Sequence, residues 1–597
     1  MRFLLAQGRG LSRLAYRTPL GHIPRQPQYR FSSAIRCTLP PLRASSTQHC
    51  TRPDSHTKSG SGTLTLVVVL GIALGGALLF PRAKEPAIKK TVDEPGSPVV
   101  SYSDTTYSYL VMPPNTPPGR PGTLTPEQEM KLRELWAATM KVFGVYESAS
   151  AEADGITDSA APSETTESTA AGKKEKKKSR LNVFRRHKDD KDAKSDSVAT
   201  TGNLTALDMS KLSVADEDDK HGQGKEFKAA LANSEPEDLR KAFWSMVKHD
   251  HPDALLLRFL RARKWDVEKA LVMLISTMHW RAEEMHVDDD IMRKGEAGAL
   301  EDSQSADATA KKEGEDFLTQ MRMGKSFLHG VDKEGRPLCF VRVRLHKQGE
   351  QTEKSLERFT VYTIETARML LRPPIDTATV VFDMTGFSMA NMDYTPVKFM
   401  IKCFEANYPE SLGAVLVHKA PWIFQGIWSI IRGWLDPVVA GKVHFTKNVD
   451  ELEGFIPRNQ IPTELGGDED WTYAYVEPNL SENSLLNDHT ARDSILAKHS
   501  ELVRKYESTL LDWIHSGEQG DNTKSADERR EARNAIAEEL RKNYWQSDPY
   551  LRARSYYDRT GVLGEAGQLD FYPKKKKETV PTPAAASAVE TNADDLD

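Results

Sequence analysis

Residues Asn407 to Val438 read NYPESLGAVLVHKAPWIFQGIWSIIRGWLDPV, and the fold turns on this run. A short apolar strand pattern (Ala414 to Val417) comes directly before a helical pattern from Trp422 to Leu435. In that helix Trp422, Ile423, Phe424, Ile427, Trp428, Ile430, Ile431, Trp434 and Leu435 cover almost every face. A helix that is apolar all round is buried in a core or meets lipid. Its three tryptophans favour lipid, because indole suits a site with one apolar and one wet side. Glu410 and Lys442 bracket the block.

Working outward, strand and helix patterns alternate. In GVDKEGRPLCFVRVRLH, residues 330–346, the apolar Phe340, Val341, Val343 and Leu345 stand against Arg342 and Arg344, which predicts a strand with one wet face. Leu356, Phe359, Thr363, Ala367 and Leu370 form a helical stripe that stops at Pro373-Pro374. TATVVFDMTGF reads as a short buried strand ending at Asp383. Thr395 and Pro396 open a helix in which Val397, Met400, Ile401 and Phe404 share one side, and Val443 to Phe445 read as a further strand. This alternation argues an α/β domain. Before it, the apolar spacing from Leu239 to Lys264 and the stripe Ala270, Leu271, Leu274 and Met278 behind the N-cap Asp266 predict a compact set of short helices. The acidic, Ala- and Ser-rich stretch from Gly295 to Gly314 is expected to be a surface loop. Helices around Arg492 to Trp513 and Glu528 to Trp545 end the ordered chain, and the tail 573–597 reads as disordered.

The 597 residues are enough for several domains. A formal charge of -5 argues against a chain built mainly to bind nucleic acid. Cys37, Cys50, Cys339 and Cys403 show no metal spacing. Residues 1–53 contain no Asp or Glu but many Arg, the composition of an organellar presequence. Residues 63–80, TLTLVVVLGIALGGALLF, carry no charge; as a helix they would be about 27 Å long, enough to span a bilayer core. Residues 82–224 read as a mostly disordered linker with one short helix at 125–145, capped by Thr125 and faced by Leu132, Leu135, Trp136 and Met140. Basic knots at Lys173 to Lys178 and Arg185 to Lys188 read as solvated charge runs. The organisation expected is an anchor in a mitochondrial membrane, a leash and a folded cargo. A mis-joined N-terminus would instead leave a cytoplasmic protein, or one peripheral on endomembranes. No GxSxG, P-loop, HExxH or zinc spacing occurs, so no enzyme is expected. His249-Asp250-His251 is the one candidate metal or base cluster, without a visible partner.

The set FLRARKWD (259–266), DKEGRP (332–337), VFDMTGFS (381–388), NYPE (407–410), APW (420–422) and LDPV (435–438) resembles the CRAL-TRIO lipid-binding family, on its fungal phosphatidylinositol-transfer branch. The resemblance covers about residues 226–477. It implies an N-terminal helical domain (226–293), an α/β lipid-binding domain (323–477) whose sheet floors a cavity, and C-terminal helices (488–547) beyond the family pattern. It implies a gate and cavity wall at Trp422, Phe424, Ile427, Trp428, Ile431 and Phe404. It places an inositol-phosphate site at Arg263, Lys264, Glu410 and Lys442, a chemistry that suits cationic donors on a phosphodiester and a carboxylate accepting from hydroxyls. A threonine often found between LDPV and the lysine is Val439 here. The hydroxyl positions of a phosphatidylcholine pocket fall on Ala378, Val380 and Phe404, and a tyrosine of that pocket on Cys339, so phosphatidylcholine is disfavoured. The function implied is a membrane-tethered phosphatidylinositol-binding transfer protein with no cofactor beyond its bound lipid and no metal. Its partners would be phosphatidylinositol, membranes and proteins of lipid metabolism, with no nucleic acid. The alternatives are a carrier of a neutral hydrophobic ligand, such as a sterol precursor or isoprenoid, and a lipid-loaded regulator or scaffold.

Overall fold

The computed structural model describes residues 116–146, 212, 219–519 and 525–573. The presequence-like segment, the apolar stretch 63–80, the basic knots and the tail beyond Pro573 lie outside these residues. Among the described residues no helix is long and apolar enough to cross a membrane.

The first helix, α1 (Pro126–Val142), starts as its sequence predicts. Thr125 caps it in a reciprocal box with Gln128, and Pro126 occupies the first turn, where no N–H is needed. Its setting differs from the expectation of a helix in a linker. Leu132, Leu135, Trp136 and Met140 are buried in the core of the helical layer, against Phe243, Leu256, Leu260, Leu271 and Tyr506. Burying a side chain as large as Trp136 contributes about 1.5–3 kcal/mol. Its indole N–H also donates to Asp253 Oδ1 at 2.8 Å. The helix belongs to the folded body.

Four short helices continue this layer: α2 (Gln223–Asn233), α3 (Pro236–Val247), α4 (Pro252–Ala262) and α5 (Val267–His279). Asp266 caps α5 by accepting from the Lys269 N–H. Next comes a correction. The Gly295–Gly314 stretch is two packed helices, α6 (Arg293–Ser303) and α7 (Ala308–Arg322), with Asp307 capping the second. Its alanines and glycines let the pair approach closely: a Cβ on Gly314 would lie 2.5 Å from the Ala299 carbonyl. Glu296 of α6 is fully buried and accepts from the hydroxyls of Tyr362 and Tyr475 and the Tyr556 N–H, each at 2.8 Å, while pairing with Arg559. The stretch therefore staples three parts of the chain together.

The sheet follows, with β1 (Ser326–Val331) antiparallel to β2 (Pro337–Arg342) and the rest parallel. Helix α8 (Glu353–Met369), capped by Thr352, leads to β3 (Ala378–Asp383). Helix α9 (Tyr394–Lys402) starts at the cap Asp393 and runs through a π-helical turn (Cys403–Asn407) into β4 (Leu412–His418). Helices α10 (Phe424–Arg432) and α11 (Pro437–Gly441) precede β5 (Val443–Thr446), giving the strand order β1-β2-β3-β4-β5. The strand at 337–342 ends sooner than its alternation suggests, in a short 3₁₀ turn, and is buried nearly throughout. A parallel sheet covered on both faces has no wet side. Arg342 is tolerated there because its guanidinium lies 4.7 Å over the Phe327 ring and pairs with Glu464 at 2.7 Å.

After α12 (Val449–Glu453), the long helices α13 (His489–Gln519) and α14 (Ala526–Leu551) pack along one another. Tyr506 and Trp513 of α13 join the core around Trp136. The chain then returns to the sheet through α15 (Tyr556–Arg559), where the Tyr557 hydroxyl accepts from the Leu328 N–H of β1 at 2.6 Å.

Candidate functional site

Strand alternation builds the floor of a cavity. Cys339, Val380, Val415 and Val443 stand opposite one another across four strands, and Val341, Phe382 and Val417 form the next row on the same face. These seven residues line a cavity of about 270 Å³. Helix α8 contributes Leu356, Phe359 and Ile364; α9 and the π-helical turn contribute Val397, Met400 and Phe404. Of the hydroxyl-pocket positions, Val380, Phe404 and Cys339 line the cavity, while Ala378 lies at the outer end of β3.

Helix α10 closes the cavity. Phe424 and Ile427 are 7% and 5% exposed, and Phe424, Trp428 and Ile431 form part of the lining. On the outer side Trp422 is 86% exposed and Ile430 48%. The helix, placed as a lid over the cavity, is amphipathic: Phe424, Ile427, Trp428 and Ile431 make its inner face, while Gln425, Gly426, Ser429 and Arg432 join Ile430 on the exposed one. The helical turns begin at Phe424, so Trp422 sits on the loop before them.

The chain after the lid is clamped. The Asp436 N–H donates to Glu405 Oε1 at 2.6 Å, and Oε2 of the same carboxylate meets Lys220 at 2.7 Å and His221 at 2.8 Å. Lys220 also donates to the Trp434 carbonyl. Burial opposes ionisation of Glu405, but the bonds from His221, Asp436 and Lys220 outweigh it and hold its carboxyl below the ordinary range.

The four expected headgroup residues are placed unequally. Glu410 and Lys442 come together at 3.8 Å, both partly exposed. Glu410 adopts a left-handed backbone (φ 54) just before β4, and Lys442 ends α11. Neither lines the cavity, although their chain neighbours Leu412, Val439 and Val443 do. Arg263 donates to Gln223, whose amide donates to the Ala406 carbonyl at 3.0 Å, tying it to the π-helical turn. Lys264 is exposed and joins no ion pair among the described residues. Sequence reasoning missed two nearer cations, Arg258 and Arg261, three residues apart on α4. Arg258 donates to the Glu410 carbonyl at 3.0 Å, and the Glu410 charge acts on Arg261, which is itself bound to Asp376 at 2.9 Å. The i, i+3 spacing that puts both on one helix face was the available signal.

The His249-Asp250-His251 cluster has structural partners. His249 is buried against the Trp545 ring at 5.0 Å, Asp250 pairs with Arg368, and His251 caps α4 by accepting from the Asp253 N–H. Among the described residues no group of three or more His, Cys, Asp or Glu side chains is arranged to hold a metal.

Comparison with known proteins agrees with this architecture. The family model "CRAL/TRIO domain" matches residues 321–467, and "CRAL/TRIO, N-terminal domain" matches 224–276. A CRAL-TRIO domain-containing protein of Schizosaccharomyces pombe is 43% identical over 455 residues, covering 74% of this chain and 92% of its own length. The phosphatidylinositol transfer protein CSR1 of Eremothecium gossypii is 39% identical over 453 residues, covering 75% of this chain and 98% of its own. A second Schizosaccharomyces pombe CRAL-TRIO domain-containing protein is 26% identical over 343 residues, 56% of this chain and 89% of its own length. With both halves of the pattern matched in order and the sheet, cavity and lid in place, this chain belongs to the CRAL-TRIO family.

Proposed function

We propose that this protein binds phosphatidylinositol and transfers it between membranes while tethered to one of them. The observation that carries the reading is an apolar cavity covered by a helix whose apolar face lines it, with an ammonium and a carboxylate paired a few residues along the chain from Leu412, Val439 and Val443 of its wall. The cavity keeps acyl chains out of water, which lowers the desolvation barrier to transfer. Lys442 meets the phosphodiester and Glu410 accepts from inositol hydroxyls, with Arg263 and Lys264 as outer cations. No group in this scheme performs covalent chemistry, so the protein acts as a carrier and not as an enzyme. The name of the relative from Eremothecium gossypii supports the same ligand. At about 270 Å³ the closed cavity is below the usual ~300–1,000 Å³ of small-molecule pockets, so loading a two-chained lipid requires the lid to swing away.

The tether is residues 63–80, in a mitochondrial membrane, with the lipid domain in the intermembrane space. Lipid-metabolism enzymes at the acceptor membrane are the natural partners. Vesicle-to-vesicle transfer of labelled phosphatidylinositol, with native mass spectrometry of the co-purified lipid, tests the activity. Absence of both transfer and bound phosphatidylinositol would refute it. Carbonate extraction of isolated mitochondria tests the tether, and a carbonate-soluble protein would overturn it.

A second reading is favoured by Cys339, Val380 and Phe404, apolar or thiol side chains of the lining at the positions where the resemblance expects hydroxyls. Such a lining suits a neutral hydrophobic ligand, and a sterol precursor or isoprenoid in the mass spectrum would establish it.

A further inference from the structure

The cavity wall is mostly apolar. Gln320, Lys325, Ser326, Arg342, His346 and Asp393 contribute to the lining together with the apolar side chains. Most polar groups of the wall are already engaged. Thr360 and Thr363 donate to carbonyls of their own helix, Asn391 donates to the carbonyls of Arg344 and His346, and Arg342 is held by Glu464. Lys325 is different. It is 7% exposed, and its ammonium meets only two amide oxygens, Gln351 Oε1 at 3.0 Å and Gln320 Oε1 at 3.3 Å. No carboxylate lies within 4 Å of it among the described residues. The buried cations Arg281, Arg533, Arg552 and Arg559 each meet a carboxylate directly. A buried ammonium left without an anion costs several kcal/mol. Burial accordingly lowers Lys325 to about 8. Beside it His346 is also half-satisfied: its Nε2 lies 3.4 Å from Asp393 Oδ2 and has no hydrogen-bond partner.

We propose that Lys325 and His346 form a second polar subsite inside the cavity, which holds the carboxylate of a single-chained fatty acid. The acyl chain lies along the Cys339-Val380-Val415-Val443 row, and the carboxylate completes the coordination of the Lys325 ammonium, which has a third donor to offer. Three carboxylates, Glu350, Asp393 and Asp316, act on the Lys325 charge from beyond ion-pair distance. Asp393 already accepts from the Thr395 N–H at 3.1 Å, and burial lowers His346, so its imidazole offers the ligand an N–H and not a charge. The inference rests on the cavity being a lipid site, but not on the Glu410–Lys442 headgroup site.

The test uses the full chain in nanodiscs, stripped of lipid and titrated with labelled oleate, oleyl alcohol and oleoyl-lysophosphatidate. Oleate is expected to bind at least tenfold more tightly than oleyl alcohol. Lys325→Met is expected to erase that difference while leaving oleyl alcohol binding unchanged, and Lys325→Arg to restore most of it. Equal binding of acid and alcohol by the natural protein would overturn the subsite while leaving the lipid cavity standing. Equal weakening of both ligands by Lys325→Met would overturn it too, since Lys325 would then only brace the wall. Preference for lysophosphatidate over oleate would replace the carboxylate by a phosphate and overturn the proposal as stated. Binding of none of the three, with phosphatidylinositol transfer also absent, would bring down the cavity reading itself.

Discussion

The Asp436 backbone N–H is bonded to the Glu405 carboxylate at 2.6 Å, which joins the chain just after the lid to the π-helical turn behind the cavity. Because Lys220 and His221 share that carboxylate, the latch also reaches the start of the helical domain. Losing charge-assisted bonds costs about 1.5–3 kcal/mol. Glu405→Ala is expected to speed lipid exchange about tenfold, read as faster loss of labelled lipid to acceptor vesicles. Unchanged exchange would mean that the hinge of the lid lies elsewhere.

Lys442→Ala is expected to lower phosphatidylinositol transfer at least tenfold by the same reasoning, while the unfolding midpoint stays near that of the natural protein, since the ammonium is partly exposed. Phosphatidylcholine transfer should be slight in both proteins, because Cys339, Val380 and Phe404 present no hydroxyl to a choline phosphate in the cavity. Stoichiometric phosphatidylcholine in the purified protein would contradict this.

Ile427 sits on the inner side of the lid, 5% exposed, and packs with Phe424, Met384 and Val417. Ile427→Asp places a charge on the apolar face of that helix. Exchange between vesicles should fall to background, while Trp422→Ala on the outer side should weaken vesicle binding several-fold and leave stability unchanged. Normal exchange by Ile427→Asp would reduce the helix to ordinary core.

His249 gives a pH prediction. Burial lowers it to about 3, and both ring nitrogens lack hydrogen-bond partners. In the unfolded chain the imidazole takes a proton near 6.5. Below that pH the unfolded state binds the proton and the folded state does not, so stability falls as pH drops from 6.5 toward 3. At about 1.4 kcal/mol per pH unit, about 2 kcal/mol is lost by pH 5. Urea midpoints of the natural protein and His249→Phe across pH 7 to 5 should show a steeper fall in the former. Parallel curves would refute the assignment.

The sequence made legible what depends on short-range pattern. The run around Ala414 and Trp422 announced a strand and an unusual helix, and Thr125 and Asp266 announced caps, because each signal lies within a few residues. Features that depend on distant partners were not legible. Glu296 looks like one acid in an acidic stretch until Tyr362, Tyr475, Tyr556 and Arg559 close around it. Lys325 stands in the bend just before β1, where a lysine normally faces water. The stripe on α1 was visible, but its partners Phe243 and Tyr506 lie roughly a hundred and several hundred residues away in the chain, so nothing local says that the helix is core.

That placement of α1 has a consequence for how the protein could be released by proteolysis. Tyr146 and Leu212, on either side of residues outside the described ones, are both buried in the same core. A cut between Tyr146 and Leu212 would therefore yield a two-chain protein and not a freed domain. The N-terminal fragment would keep its grip through Trp136 and its bond to Asp253, and everything upstream would still travel with the lipid cavity. Only a cut ahead of residue 116 would separate the folded body from the rest.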